Sequence, residues 1–121
     1  MIVDDEQLIL NEVAEALEGE GYECYVSTTV SSALTIISKN LDIALILTDQ
    51  KMKDYQGTDL IAATKLMSID AKYIVMSGHA NPNLKDTSID LSDYVFLQKP
   101  VKIEKMLEAV CSVLTSKEKK L

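Results

Sequence analysis

The sequence predicts a doubly wound α/β fold, in which helices cover both faces of a five-stranded parallel sheet. Short apolar runs alternate along the chain with segments of helical periodicity, as expected for repeated strand–helix units. The run at residues 43–47 is uniformly apolar, which is typical of a central parallel strand buried on both faces. Residues 22–26 partly alternate between apolar and polar side chains, as a half-exposed edge strand does. These observations favour the strand order 2-1-3-4-5.

Strands and helices alternate strictly in the first half of the chain. The predicted elements are a short strand at residues 1–3, a helix stopped by two glycines, an edge strand at 22–26, a helix at 30–37 and a central strand at 43–47. Ile9, Val13 and Leu17 recur every four residues and therefore share one face of the first helix. Gly19 and Gly21 end that helix.

The second half continues the alternation but contains one weak segment. Its predicted elements are a helix at residues 60–67, a strand at 73–76, a short or mobile fourth helix within 81–92, a strand at 94–97 and a fifth helix at 103–114. Asn81 and Pro82 make a good helix start, but residues 86–88 are poor helix formers. Residues 115–121 are expected to be a fraying helix end or the start of a linker.

Size and composition predict a single domain that spans residues 1–121. Acidic residues number 19 and basic residues 12, and the net charge of −7 argues against direct binding to nucleic-acid phosphates. The longest aliphatic run in a strand is far too short to span a bilayer, and no signal peptide is expected. Cys24 and Cys111 lack metal-like spacing and are expected to be reduced, buried and inert, which suggests a cytoplasmic chain.

Charged or hydroxyl residues follow four of the predicted strands. Asp4 and Asp5 follow the first strand, Asp49 the third, Ser77 the fourth and Lys99 the fifth. Because parallel strands end at the same edge of a sheet, these five residues are expected to line one pocket, where open α/β folds bind ligands. Three carboxylates and one ammonium give the pocket a formal charge of −2. Oxygen-only ligands favour Mg²⁺, so the sequence predicts a magnesium site.

The motifs around these residues match a known family along essentially the whole chain. They are Val3-Asp4-Asp5-Glu6, Leu47-Thr48-Asp49 with Met52 and Gly57 downstream, Met76-Ser77-Gly78 and Lys99-Pro100. In this order, and each at a strand end, they resemble the receiver domain of two-component response regulators, a CheY-like domain with a flavodoxin-like sheet. Asp49 follows Asp5 by 44 residues and Lys99 follows Ser77 by 22, and both spacings are usual in that family.

The resemblance implies a role for each charged residue of the pocket. Asp49 would be the phosphoacceptor, a nucleophile that takes a phosphoryl group as an acyl phosphate. Mg²⁺ would be held by Asp5, Asp49 and the backbone carbonyl of Lys51, with Asp4 acting through water. Lys99 would be the second cation that offsets the phosphoryl charge.

The resemblance also implies switch and tuning positions. Ser77 would offer its hydroxyl to the phosphoryl oxygens, and Phe96 would swing inward when Ser77 moves. Lys51 and His79 stand at the two variable positions that tune the lifetime of the phosphoryl group. Lys53 departs from the family pattern, because proline usually stands there, and the loop after the phosphoacceptor is therefore expected to be less rigid.

The leading interpretation is a phosphoacceptor signalling switch. A sensor histidine kinase or a phosphotransfer protein would phosphorylate Asp49. The conformation of the surface made by the fourth helix, the fifth strand and the fifth helix would then change. An output domain or a downstream protein would recognise the changed surface. Such a domain catalyses only its own phosphorylation and dephosphorylation. Neither nucleic acid nor a membrane is expected as a direct partner.

Plainer interpretations stay open beside it. Taken alone, Asp5 also fits a helix cap, Phe96 a core residue and Lys51 a solvent-facing side chain. The whole domain also fits a phosphorylation-independent interaction module on the same fold. An aspartyl phosphatase would need a second acid two residues after Asp49, where Lys51 stands. A flavin-binding protein would need a phosphate-binding loop after the first strand, where three acidic residues would repel phosphate.

Overall fold

The computed structural model describes residues 1–78 and 94–118 of the chain. Within these ranges it contains five strands and four helices. In chain order they are β1 (Ile2–Val3), α1 (Gln7–Gly19), β2 (Val26–Ser27), α2 (Val30–Lys39), β3 (Leu45–Asp49), α3 (Gly57–Leu66), β4 (Lys72–Ser77), β5 (Tyr94–Gln98) and α4 (Ile103–Glu118). The predicted fifth helix is observed as α4, and the helix predicted within residues 81–92 lies outside the described residues.

The five strands form one parallel sheet in the order β2-β1-β3-β4-β5, which confirms the predicted topology. Neighbouring residues of β3 point to opposite faces, so Ile46 and Leu47 belong to two different clusters of the core. Ile46 packs in the cluster that holds buried residues of α2 and α3, and Leu47 in the cluster that holds buried residues of α1 and α4. Burial on both faces explains why this run is uniformly apolar.

Among the element boundaries that differ from the predicted ones, three have identifiable reasons. β2 is observed only at Val26–Ser27, because its partner β1 is itself just two residues long. β3 begins at Leu45 rather than at Ile43, whose N–H instead donates to Asn40 in the turn after α2. α3 begins three residues earlier than predicted, at Gly57, where the Asp59 carboxylate accepts a hydrogen bond from the preceding Gln56 N–H.

The cysteines only partly follow the predictions. Both cysteines are free thiols, but Cys24 is half-buried and Cys111 is exposed, so the expected burial of Cys111 is wrong. Cys111 lies on the outer face of α4, where its Sγ atom is 3.8 Å from the Thr115 hydroxyl. Among the described residues, each helix is too short or too polar to span a bilayer.

A cleft of about 240 Å³ lies at the N-terminal edge of the sheet. It is lined mainly by apolar residues from the ends of β1 to β3, α1 and α4. The Met1 amine lies at this cleft and donates a hydrogen bond to the Leu45 carbonyl at 3.0 Å. Burial lowers the pKa of this amine from 8.0 to about 6, although nearby Cys24 acts in the opposite direction.

The Met1 amine is therefore expected to make the stability of the 121-residue chain depend on pH. Between its folded pKa of about 6 and its unfolded pKa of 8.0, the unfolded chain binds more protons. The free energy of unfolding should consequently rise with pH across this window, by up to about 3 kcal/mol for this group. Urea unfolding at both ends of the window measures the rise. The N-acetylated chain is the control, because it keeps the N–H but loses the charge, and an equal rise there would assign the effect to other groups.

Candidate functional site

The C-terminal edge of the sheet gathers the acidic residues and the lysine that the motifs predicted. Asp4 follows β1, Asp49 ends β3 and Lys99 follows β5, so three strands deliver one charged group each. Asp5 stands next to Asp4 and belongs to the same cluster. Carboxylate oxygens from the three aspartates lie within 4.8 Å of one another. Four of the five residues predicted to line the pocket thus come together, although they are up to 95 positions apart in sequence.

Lys99 is the cation of this cluster. Its Nζ atom lies 3.1 Å from Oδ2 of Asp49 and 3.5 Å from Oδ2 of Asp4. Burial alone would lower the pKa of Lys99. The hydrogen bond to Asp49 and the charges of Asp49 and Asp4 outweigh it, so the net pKa is raised and the ammonium stays protonated. Its side chain remains 22% exposed, so the lysine is partly accessible to solvent.

Asp4 is the most deeply buried acid of the site. Its Oδ1 atom accepts a hydrogen bond from the Glu6 N–H at 2.9 Å, so the turn into α1 is closed by Asp4 and not by Asp5. Its Oδ2 atom receives no hydrogen bond from any described residue and has only the ion pair to Lys99. Burial raises the pKa of Asp4, and the neighbouring carboxylates of Asp49 and Asp5 add to the rise.

The donor set fits a hard divalent cation. Lys99 leaves two of the three carboxylate charges uncompensated, and the buried Oδ2 atom of Asp4 has no hydrogen-bond donor among the described residues. Oxygen ligands from three carboxylates at this separation suit Mg²⁺ better than softer metals. The cluster opens into a cleft of about 450 Å³ whose lining residues are Asp5, Glu6, Asp49, Lys51, Met52, Lys53, Gly78 and Lys99.

Ser77 and Phe96 lie on the two strands next to this cluster. Ser77 ends β4, is buried, and accepts a hydrogen bond through its backbone carbonyl from the Lys99 N–H at 2.7 Å. Phe96 is half-buried on β5, opposite Val75, and packs against the core on the α2–α3 side of the sheet. The predicted tuning residue His79 lies outside the described residues, whereas Lys51 has an exposed side chain at the cleft.

Comparison with known proteins identifies the family. Residues 1–111 match the family model of the response regulator receiver domain. The chain belongs to this family. A response regulator receiver domain protein (CheY-like) from Methanospirillum hungatei has a crystal structure that is similar, with a TM-score of 0.84, 32% identity, and coverage of 99% of this chain and 95% of that one.

Curated relatives are longer than the receiver domain described here. The two-component response regulator PprB of Pseudomonas aeruginosa is 28% identical over 115 residues, which are 91% of this chain and 41% of PprB. The response regulator SaeR of Staphylococcus aureus is 24% identical over 119 residues, which are 98% of this chain and 51% of SaeR. The receiver domain thus spans about half or less of the length of these relatives.

Gly57 is needed in this receiver domain because α3 begins directly against the end of β3. A Cβ atom at Gly57 would collide with the backbone carbonyl oxygen of Asp49 and lie 3.1 Å from the methyl group of Thr48. The Gly57 N–H also donates to the Gln50 carbonyl at 2.9 Å. The close approach holds the backbone of Asp49 in place beneath the cluster.

Replacing Gly57 by alanine is therefore expected to lower the free energy of unfolding by about 1–3 kcal/mol, because the backbone of Asp49 must move to admit the methyl group. Urea unfolding measures the loss. Gly19→Ala is the matched control, since a Cβ atom there meets nothing within 4 Å, and this variant should be neutral or slightly stabilised. Equal stability of the two variants would contradict the steric explanation.

Sequence reasoning missed one contributor to this region of the receiver domain. Asp54, five residues after Asp49, hydrogen bonds to the first turn of α2. An aspartate in an exposed loop has no distinctive sequence pattern around it. Its two partners in α2 lie 23 and 24 residues earlier in the chain, so no local motif links them to Asp54. The available signal is indirect: the first turn of α2 has no acidic residue of its own to interact with its N–H groups.

Proposed function

We propose that this receiver domain is a phosphoacceptor switch, in which Asp49 takes a phosphoryl group from a sensor histidine kinase or a phosphotransfer protein. The observation that carries the proposal is the ion pair of 3.1 Å between Asp49 and Lys99, next to Asp4 and Asp5 in an open cleft. Receiver domains of response regulators are signalling domains and generally not classical enzymes. The proposal adds which residue accepts the group and what surrounds it.

The transfer step follows from the chemistry of a carboxylate nucleophile. An oxygen of Asp49 forms a bond to phosphorus, the bond from phosphorus to the donor nitrogen breaks, and the donor imidazole keeps the electron pair. The product is an acyl phosphate on Asp49. Two negatively charged reactants repel each other, and Lys99 offsets part of this repulsion because its ammonium lies 3.1 Å from one oxygen of the Asp49 carboxylate.

The remaining compensation is assigned to Mg²⁺. Asp5, Asp49 and the backbone carbonyl of Lys51 would hold it, with Asp4 acting through water, and these residues lie around one cleft or directly beneath it. When bound, the ion supplies positive charge to phosphoryl oxygens. The exposed side chain of Lys51 and the residue His79 are proposed to tune the lifetime of the acyl phosphate.

We propose that the conformational change on phosphorylation is transmitted to the surface of β5 and α4 by Ser77, Phe96 and Lys99. Lys99→Ala should still fold, because the lysine is a partly exposed residue at the edge of the sheet. The variant should lose the phosphorylation-induced changes around Phe96, because the lysine would no longer couple the two sites. NMR shifts of the Phe96 ring, with and without the phosphodonor, are the measurement. Parent-like shifts in Lys99→Ala would remove the lysine from the coupling.

An output domain or a separate downstream protein would read the changed surface, and the proposed setting is the cytoplasm. Direct binding to nucleic acid or to a membrane is not part of the proposal. The alternative function is a phosphorylation-independent interaction domain, and the complete acidic cluster with its lysine favours the switch over it.

Intact mass after exposure to acetyl phosphate and Mg²⁺ tests the proposal. The expected result is a gain of one phosphoryl group, lost again after hydroxylamine treatment, which cleaves acyl phosphates. The same reaction with a chelator in place of Mg²⁺ is the control and should show little gain. A chain that stays unlabelled under all these conditions would favour the phosphorylation-independent alternative.

A further inference from the structure

Asp54 joins the loop at residues 50–56 to the start of α2. Its carboxylate accepts hydrogen bonds from the Val30 N–H at 3.1 Å, the Ser31 N–H at 3.0 Å and the Ser31 hydroxyl at 3.0 Å. A fourth comes from the neighbouring Tyr55 N–H at 2.9 Å. Desolvation acts to raise the pKa of Asp54, but these hydrogen bonds lower it to about 2, so the group is ionised at neutral pH.

The helix already has a cap of its own. Thr29 accepts a hydrogen bond from the Ser32 N–H at 3.1 Å through its side chain, which is the usual arrangement for a threonine at this position. Asp54 instead binds the two N–H groups before Ser32, at the positive end of the helix dipole. The two side chains thus cap the same helix, but only Asp54 belongs to the loop at residues 50–56.

The tip of that loop has few other anchors among the described residues. At its base, the Gln50 side chain accepts a hydrogen bond from the Thr58 N–H at 3.1 Å and Lys51 pairs with Gln56, but these two contacts lie within residues 50–58 and do not reach α2. Beyond this pairing, Lys53 and Tyr55 are exposed, and Met52 is the one buried apolar side chain of the loop.

The start of α2 is in turn connected to the strand end that carries Asp4. The Asp4 N–H donates to the Ser27 carbonyl at 3.1 Å, and the Ser27 hydroxyl donates to the Thr29 carbonyl at 2.8 Å. Hydrogen bonds therefore run from Asp4 through the β2–α2 turn to Asp54. This path connects the end of β1, which carries Asp4, with the loop at residues 50–56, which is distant from it in sequence.

We propose that Asp54 is a positioning residue for the metal site, because it holds the loop against α2 and thereby keeps the Lys51 carbonyl in place beside Asp49. The inference rests on the proposed function, since it deepens the assignment of Lys51 as a ligand. Residues that orient metal ligands without touching the metal commonly change metal affinity 10- to 100-fold when they are removed. Asp54 would act on the Lys51 carbonyl in this way through the loop backbone that joins the two residues, since its own hydrogen bonds go to α2.

The test compares Asp54→Ala with Thr29→Ala. Each variant removes one cap from α2, but only the first frees the loop. Titration of the unphosphorylated domain with MgCl₂ should show that Asp54→Ala weakens Mg²⁺ binding about tenfold, and that Thr29→Ala stays within about twofold of the parent. Asp54→Asn keeps one acceptor oxygen and should lie between. At saturating Mg²⁺, Asp54→Ala should still gain one phosphoryl group from acetyl phosphate.

Urea unfolding of both variants controls for the loss of helix stability, and amide exchange without metal reports on the loop itself. Residues 51–55 should exchange faster in Asp54→Ala than in Thr29→Ala. Equal exchange, or an equal loss of Mg²⁺ affinity in the two variants, would overturn the positioning role. A different outcome would overturn the proposed function: residues 51–55 exchange faster in Asp54→Ala, but the parent chain neither binds Mg²⁺ nor takes a phosphoryl group. The role of Asp54 in metal binding would then be overturned as well.

Discussion

Asp49→Asn is expected to abolish labelling by acetyl phosphate. An amide oxygen does not form a stable bond to phosphorus under these conditions, whereas the ionised carboxylate is a nucleophile held beside Lys99. The substitution keeps the size of the side chain and leaves an oxygen that accepts a hydrogen bond from the lysine. The fold should therefore persist while the mass gain disappears.

Asp42→Asn is the matched control for this experiment. It makes the same chemical change at an exposed residue that lines the cleft at the N-terminal edge of the sheet. This variant should be labelled like the parent, which excludes a general effect of lost charge. Full labelling of Asp49→Asn would place the phosphoacceptor at another residue.

Mg²⁺ is expected to stabilise the unphosphorylated domain, because it relieves repulsion among the carboxylates of Asp4, Asp5 and Asp49. A ligand that binds only the folded chain contributes about 2.7 kcal/mol at a concentration about 100-fold above its Kd. For a domain of this size the melting temperature should rise by about 10 °C. Asp5→Ala should remove most of this rise, since Asp5 is the half-exposed carboxylate that faces the cleft.

A second prediction for Asp5→Ala separates its effect on metal binding from its effect on folding. Without Mg²⁺, Asp5→Ala should melt no lower than the parent, because one of the repelling charges is gone. Thermal melts of the parent, Asp5→Ala and Asp42→Ala, each with MgCl₂ and with a chelator, make the comparison. An unchanged Mg²⁺-dependent rise in Asp5→Ala would place the metal elsewhere.

The topology was predictable because burial leaves a direct signature in the sequence. The uniformly apolar run that contains Ile46 and Leu47 required a strand covered on both faces, and this strand lies in the middle of the sheet. The grouping of Asp4, Asp49 and Lys99 was predictable for a similar reason. Parallel strands end at the same edge of a sheet, so the residues that follow them can be predicted to lie close together without knowing how the helices pack.

The strand and helix ends were less predictable, because hydrogen bonds to distant residues decide them. β2 extends only as far as β1 offers partners, and α3 begins where Asp59 caps it and where Gly57 fits against Asp49. Local propensity carries little information about such contacts. The prediction that Cys111 is buried was also wrong, because residue type alone does not determine which face of α4 a side chain occupies.

The order of the strands, the apolar faces of the helices and the set of charged residues at one edge of the sheet follow from the amino-acid pattern alone. Tertiary packing is needed to tell that Asp4 is the buried aspartate, with one oxygen that no described residue hydrogen bonds, and that Asp5 faces the cleft. It alone revealed that Asp54 binds α2. The reason is physical: periodicity records burial along one element, whereas a contact between two loops depends on how several elements pack and leaves no period in the chain.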